Sequence, residues 1–452
     1  MEGVQATRPR RGDELELHVD RLAYGGAGVA RANGYVVFVR DAVPGDRVRA
    51  RITRSKRSFA EADSVELLDP SPDRIEPVAP HPGAPWQVLP YERQLAEKEA
   101  QVRDALERLG GFESPPVEPI APAEQRLRYR NKVEYSFGED DEGDLVLGFH
   151  RRGRFDLIDD VGADILASER VDELREAAKD WCRGEGLSAW DRRGQTGLLR
   201  NLVVREGRRT GRLQARVVTS PGAQFRAGEL AAAVPADSVL WTRAASVAET
   251  TREGVTERIK GEEKLEEQLC GLTFRISPDA FFQTNTEMAE HLYGNAVDLA
   301  ALSGRERVVD LFCGIGTIAL VFALDAGEVW GVELVEEAVA DAIENARLNG
   351  VDNARFFAGD VRLAMRPLLE QAGQPDVVVL DPPRAGLSNK VVRRVLEAKA
   401  KRIVYVSCNP TTLAPNARQF CDAGYELRTV RPVDMFPQTP HIECVALLER
   451  GD

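Results

Sequence analysis

Apolar and polar positions alternate in short runs between residues 13 and 70: ELELHVDRLAYGG, GYVVFV, DRVRARITRS and FAEADSVELL. Gly25-Gly26, Asn33-Gly34 and Pro44-Gly45 divide the runs. A period of two broken by glycine turns predicts strands, and several short strands in succession predict a small β-barrel. Residues 70–90 are rich in proline and read as a linker or irregular connection. Residues 91–110 then switch to helical spacing through Leu95, Val102, Leu106 and Leu109, and Gly110-Gly111 ends the helix.

From about 126 to 275 the stretches RNKVEYSFG, DLVLGFHRR, LRNLVVRE and RLQARVVT alternate as antiparallel strands would, and SERVDELREAAKDWCRGEG reads as a helix. This predicts an α+β region. Beyond 280 the rhythm changes. RVVDLFCG, VWGVEL, ARFFAGD, DVVVLDPP and RIVYVSCNP read as strands separated by helical patterns. Strand and helix in alternation predict an open, mostly parallel, Rossmann-like α/β sheet. The expected organisation is multidomain: an OB-like β-barrel at 1–70, a central α+β domain at 71–275, and a Rossmann-like catalytic domain at 276–452. The 91–110 helix is expected to pack against the catalytic domain.

Composition narrows the class. The 452 residues are 43% apolar and 29% charged, ordinary for a folded soluble chain. No 18-residue apolar run or apolar signal core occurs, so a cytoplasmic location is expected, with a monomer as the default. The net charge of −13 argues against nucleic acid as a partner, but its distribution argues the other way. Nine lysines leave 51 arginines among the 60 basic residues. Basic clusters fall in the first third: Arg8, Arg10, Arg11; Arg47, Arg49, Arg51, Arg54, Lys56, Arg57; Arg126, Arg128, Arg130, Lys132; and Arg151, Arg152, Arg154. The six cysteines show no paired spacing, so no disulfide framework and no metal site is expected.

Candidate chemistry sits in the last third. VVDLFCGIGTIAL is a strand, a glycine turn and a helix, where Gly314 and Gly316 let backbone approach a ligand. Glu333 ends the next strand, where a carboxylate can accept bonds from both ribose hydroxyls, and Asp360 ends the third, where an adenine edge could be read. The set suits the nucleoside end of S-adenosylmethionine better than a pyrophosphate. Asp381 closes the strand before Pro382-Pro383, Cys408 closes the next, and Glu443 opens a late one. Thiolate addition at carbon 6 of a uracil would make carbon 5 nucleophilic, and a carboxylate could then remove the carbon-5 proton. Cys408 is the candidate nucleophile and Glu443 the candidate base.

The motifs FFQTN (281–285), DLFCGIGT (310–317), GVEL (331–334), LDPPRAG (380–386), YVSCNPTTLAPN (405–416) and DMFPQTPHIECVALL (434–448) resemble the RNA 5-methyluridine methyltransferases across nearly the whole chain. The resemblance implies S-adenosyl-L-methionine as cofactor. It carries cofactor contacts onto Gln283, Phe312, Thr317, Glu333, Asp360 and Asp381, with Asp381 also in the catalytic set. Residues 13–70 resemble a TRAM domain, so the basic run at 47–57 is expected to contact RNA phosphates. Some members hold an iron–sulfur cluster in a CGGCQWQ-type segment. The matching HPGAPWQVLPYERQL has no cysteine, so no iron–sulfur cluster is expected. Barrel-bearing members point to 23S rRNA as substrate, with the tRNA T-loop as the alternative. Two other readings compete: a methyltransferase for adenine, guanine or protein, which needs no matched Cys and Glu, and an inactive RNA-binding protein, which needs neither.

Overall fold

The computed structural model describes residues 8–151, 153–154, 156–221, 225–246, 251 and 254–451, so Arg152 of the last basic cluster lies outside the described residues. The chain forms two compact units. One comprises Met1–Ala123, Pro383–Leu387 and Tyr405–Asp452, the other Glu124–Pro382 and Ser388–Val404.

In the first unit the early alternation closes into a barrel. Its strands are β1 (Glu14–Leu22), β2 (Gly28–Ala32), β3 (Tyr35–Arg40), β4 (Arg47–Ser55) and β5 (Phe59–Asp69), in the order β1-β2-β3-β5-β4. Inward residues are mostly small or β-branched, among them Val19, Val37, Val39, Val48, Ile52, Ala60 and Ala62, which suits the narrow interior of a small barrel. The alternating runs omitted β2, because GVARA has little strand propensity of its own.

On the outward face four arginines of the basic run 47–57 are already paired with carboxylates. Arg47 pairs with Asp69 and Glu16, Arg49 with Glu66, Arg51 with Glu14, and Arg54 with Glu61. Lys56 and Arg57 remain without an ion pair among the described residues. These exposed pairs are individually weak, so a phosphate can compete for the arginines.

The linker reading of 70–90 is corrected. Trp86 and Leu89 are buried with Leu22 and Val43, and Arg74 makes two 2.8 Å bonds to the fully buried Asp46. The segment is irregular but packed. Helix α1 (Tyr91–Arg108) comes next.

The second unit opens with a seven-stranded sheet made from β6 (Lys132–Glu139), β7 (Leu145–His150), β8 (Ile158–Asp160), β9 (Leu199–Glu206), β10 (Leu213–Thr219), β11 (Ser238–Arg243) and β12 (Val255–Lys260). Its order is β12-β11-β10-β9-β6-β7-β8. Helices α2 (Glu169–Gly184) and α3 (Ala227–Ala233) bury Leu174, Ala178 and Leu230 against it. The sheet is not wholly antiparallel. β10 and β11 run parallel, since α3 carries the chain back between them.

A hairpin of β13 (Leu265–Leu269) and β14 (Leu272–Ile276) leads to helix α4 (Thr286–Ala300). The α/β alternation then runs β15 (Arg307–Leu311), α5 (Thr317–Ala323), β16 (Glu328–Glu333), α6 (Glu336–Leu348), β17 (Ala354–Ala358), α7 (Val361–Ala372), β18 (Val377–Leu380), α8 (Asn389–Glu397) and β19 (Arg402–Ser407). The order β17-β16-β15-β18-β19 begins parallel. Its central strands β15, β18 and β19 are mostly buried apolar residues, as strands covered on both faces require, while the edge strand β17 is only partly buried.

The chain returns to the first unit through the last half of β19, helix α9 (Pro410–Asp422) and the antiparallel pair β20 (Tyr425–Val433) and β21 (Glu443–Arg450). Helix α1 is locked to the β20–β21 connection. Lys98 Nζ lies 2.5 Å from Asp434 with both side chains fully buried, and also donates to the Phe436 carbonyl at 3.0 Å. The Tyr91 hydroxyl donates to the other Asp434 oxygen at 2.8 Å. The Gln94 and Gln438 side chains bond at 2.8 Å. No helix among the described residues is long and apolar enough to cross a membrane.

Removing one partner of a buried ion pair leaves an uncompensated charge, which costs about 3–5 kcal/mol. Lys98→Met should therefore lower stability by about that amount, and adding Asp434→Leu should recover part of the loss. Urea unfolding of both variants tests this; a double variant no more stable than the single one contradicts it.

Candidate active site

The second unit builds a cradle at the carboxyl ends of its first three parallel strands. After β15 the backbone turns through Phe312 (φ 71°), Gly314 (φ 53°) and Gly316 (φ 83°), and α5 starts at Thr317. A Cβ on Gly316 would lie 3.1 Å from the Ala342 and Phe356 side chains, so glycine is required there. Glu333, ending β16, accepts from Gly314 N–H at 3.1 Å and Val335 N–H at 2.9 Å. Gly359 N–H donates to the Glu333 carbonyl at 2.7 Å and sets the start of α7 beside the end of β16.

Asp360 caps α7 through a 2.9 Å bond from Arg362 N–H. The Arg362 side chain also pairs with it and, as the main cause, holds its carboxyl down at about 2. Gln283 is buried, and its carbonyl accepts from Asn131 Nδ2 at 2.9 Å. Thr317 Oγ1 lies 3.3 Å from the hydroxyl of Tyr293 on α4.

Two carboxylates here are unusual. Asp310 is buried. Burial, then the charge of Asp381, pushes its pKa well up. Asp381 follows β18, and burial pushes it up to about 7. Glu333, Asp360 and Asp381 thus stand at the ends of three successive strands.

The nucleophile candidate lies in the first unit. Cys408 follows β19 directly and is half-buried. Asn409 caps α9 by accepting from Thr411 N–H at 3.0 Å, and its side chain donates to the Arg384 carbonyl at 3.0 Å. Pro410 opens the helix, so the turn after the thiol is held on both sides. Glu443 opens β21 and is buried. β19 and β21 are hydrogen-bonded neighbours in the sheet, and His441, two residues before Glu443, lies 3.5 Å from the side chain of Arg384, whose carbonyl accepts from Asn409.

Burial disfavours the thiolate at the other five cysteines. Burial pushes Cys182 up to about 12 and Cys270 up to about 11, and raises Cys313, Cys421 and Cys444 as well. Among the described residues no group of three or more His, Cys, Asp and Glu is placed to hold a metal ion.

The candidates thus form two groups. Gln283, Phe312, Thr317, Glu333, Asp360 and Asp381 belong to the second unit, and Cys408 and Glu443 to the first. Sequence reasoning passed over Asp310, Tyr293, Tyr24 and Arg384. Asp310 stands inside the DLFCGIGT motif and Arg384 comes directly after Pro382-Pro383, so both had a local signal. Tyr24 had none, since its partner is 384 residues away.

A glycine turn followed by acidic strand tips on a parallel α/β sheet defines a methyltransferase of the S-adenosylmethionine-dependent class. Residues 253–451 match the family described as tRNA (Uracil-5-)-methyltransferase, and residues 8–65 match the TRAM domain. An uncharacterized RNA methyltransferase of Chlorobaculum tepidum is 39% identical over 99% of each chain, and one of Halalkalibacterium halodurans is 37% identical over 97% of each. The crystal structure of the Pyrococcus abyssi tRNA (uracil-54, C5)-methyltransferase in complex with S-adenosyl-L-homocysteine aligns with a TM-score of 0.80 at 29% identity, over 96% of this chain and 99% of that one. The chain belongs to the S-adenosylmethionine-dependent RNA uracil-5 methyltransferase family.

The raised Asp381 carboxyl gives a pH signature. An unfolded aspartate titrates near pH ~4, so between there and about 7 the folded state keeps a proton the unfolded state has lost. Stability from this group therefore falls as pH rises through that window. Asp381→Asn removes the effect, and its melting temperature relative to wild type should climb by a few degrees across the window. Thermal unfolding over the pH series checks this; an offset independent of pH refutes it.

Proposed function

We propose that the protein methylates carbon 5 of a uridine in 23S rRNA through a covalent adduct between Cys408 and carbon 6. The observation that carries this reading is a half-buried thiol at the end of β19 and a buried carboxylate at the start of β21, its neighbour in the sheet.

The Cys408 thiolate adds to carbon 6, and the electron pair of the 5,6 double bond moves onto the carbon-4 carbonyl as an enolate. Carbon 5 then carries the nucleophilic density it lacked. S-adenosyl-L-methionine, when bound, supplies an electrophilic methyl group. Glu443 removes the carbon-5 proton, the double bond re-forms, and the Cys408 thiolate leaves. Glu333 would accept from the ribose hydroxyls of the cofactor. Phe312 and Thr317 flank the glycine turn, and Gln283, Asp360 and Asp381 complete the set that would hold it. The Asp360 carboxylate would give up part of its pairing with Arg362 to do so.

The barrel and the 71–275 region would grip RNA, and the barrel is what favours 23S rRNA. A second reading, uridine 54 of tRNA, is favoured by the likeness to the Pyrococcus enzyme, which spans 96% of this chain and so leaves no room to exclude the barrel.

RNA containing 5-fluorouridine should form a denaturation-resistant adduct with the protein, because fluorine cannot leave as the proton does. Cys408→Ala should abolish the adduct and lower methyl transfer by at least about a thousandfold; an adduct that survives this change removes Cys408 as nucleophile. Glu443→Gln should accumulate methylated RNA still bound to Cys408 on denaturing gels, and prompt release would remove Glu443 as base. Mapping 5-methyluridine in 23S rRNA and tRNA from a deletion strain decides between the two substrates.

A further inference from the structure

We infer that Tyr24, on the β1–β2 turn of the barrel, is a positioning residue for methyl transfer, fixing the backbone of Cys408 and the guanidinium of Arg384. This rests on the reading of Cys408 as nucleophile.

The Tyr24 hydroxyl donates to the Cys408 carbonyl at 3.1 Å and accepts from Arg384 Nη2 at 3.4 Å. The Arg384 guanidinium also lies over the Tyr24 ring, 5.8 Å from its centre, in cation–π range. The same Nη2 is 3.5 Å from Nδ1 of His441, two residues before Glu443. The Arg384 carbonyl accepts from Asn409, the residue after the thiol. The phenol therefore joins the end of β19 to the loop after Pro382-Pro383, and through Arg384 that loop reaches the segment before β21.

The turn is built for this reach. Ala23 N–H donates to the Ala27 carbonyl and Gly26 N–H to the Ala23 carbonyl, at 2.8 and 2.9 Å. Gly26 has φ 89°, and a Cβ there would lie 2.9 Å from Pro440 and 3.3 Å from Trp86 Nε1. Glycine alone lets the turn seat on this segment. Arg21 pairs with Asp104 of α1 at 3.1 Å, holding the end of β1. Burial, the largest cause, raises the Tyr24 pKa, with the charges of Cys408 and Glu443 adding to it. The phenol stays protonated and remains a donor.

The Cys408 carbonyl lies between the strand end and the helix cap, so its orientation sets where the thiol points. A misplacement of the reacting group costs rate rather than affinity. A barrel that only grips RNA would show the opposite signature.

The test uses the full-length protein, labelled S-adenosyl-L-methionine and total RNA from a deletion strain. Tyr24→Phe keeps the ring and removes the hydroxyl. It should lower the maximal rate by about tenfold or more, with the half-saturating RNA concentration changed by less than about twofold. Adduct formation with 5-fluorouridine RNA should slow by the same factor. Gly26→Ala, which pushes the turn off Pro440, should act in the same direction, and it decides the matter should Tyr24→Phe fail to fold. An unchanged maximal rate, or a loss confined to RNA affinity, overturns the inference. A wild-type protein that forms no adduct overturns instead the reading of Cys408 on which it rests.

Discussion

A fully buried charge pair organises the first unit. Lys98 and Asp434 have no access to water, so neither can leave the other without a large penalty. Tyr91 shares Asp434, and its hydroxyl also accepts from the Ala123 N–H at 2.7 Å. The start of α1, the end of the 109–123 segment and the β20–β21 connection thus meet at one carboxylate. The stretch of chain after Asp434 inherits its place from that anchor: Gln438 bonded to Gln94, Pro440 under the barrel turn, His441 beside Arg384, and finally Glu443. The position of the candidate base depends on a charge pair whose lysine is more than 300 residues away in sequence.

Electrostatics in this protein is a matter of partners rather than totals. The barrel strand β4 carries four arginines, and each has a carboxylate from β1 or β5 across the ladder. That is why a chain with a net charge of −13 can present arginine-rich strands without a strongly positive field. In the α/β sheet the balance is reversed. Asp310 is buried and Asp381 half-buried, and both are held toward their protonated forms, Asp310 by burial and then the charge of Asp381, Asp381 by desolvation alone.

The strand-end placement of the candidate residues was more legible in the sequence than the architecture around them. Gly314, Gly316, Glu333, Asp381, Cys408 and Glu443 stand in motifs whose local geometry is written in adjacent residues, so their strand-end placement was legible. The barrel was legible from alternation, apart from β2, whose GVARA lacks the run of β-branched residues that marks a strand. The parallel pairing of β10 with β11 was not, because seven-residue α3 leaves a faint helical pattern. Prolines at 70–90 announced irregular backbone correctly but said nothing of Trp86, whose burial depends on Leu22 and Val43 far away. The arginines at 47–57 looked free because a linear reading counts charges and cannot see across a ladder. Tyr24 was invisible for the same reason at greater range.

The first unit draws together residues from both ends of the chain: Tyr24 meets Cys408 and Lys98 meets Asp434, at separations of 384 and 336 residues. During synthesis the barrel can close from its own local strands, but its β1–β2 turn and α1 must wait for Cys408 and Asp434 to be made before they find their partners. Loop closure over such spans is slow relative to local folding. The surroundings of Cys408 therefore form late relative to the barrel, once residues more than 330 positions beyond it have been made.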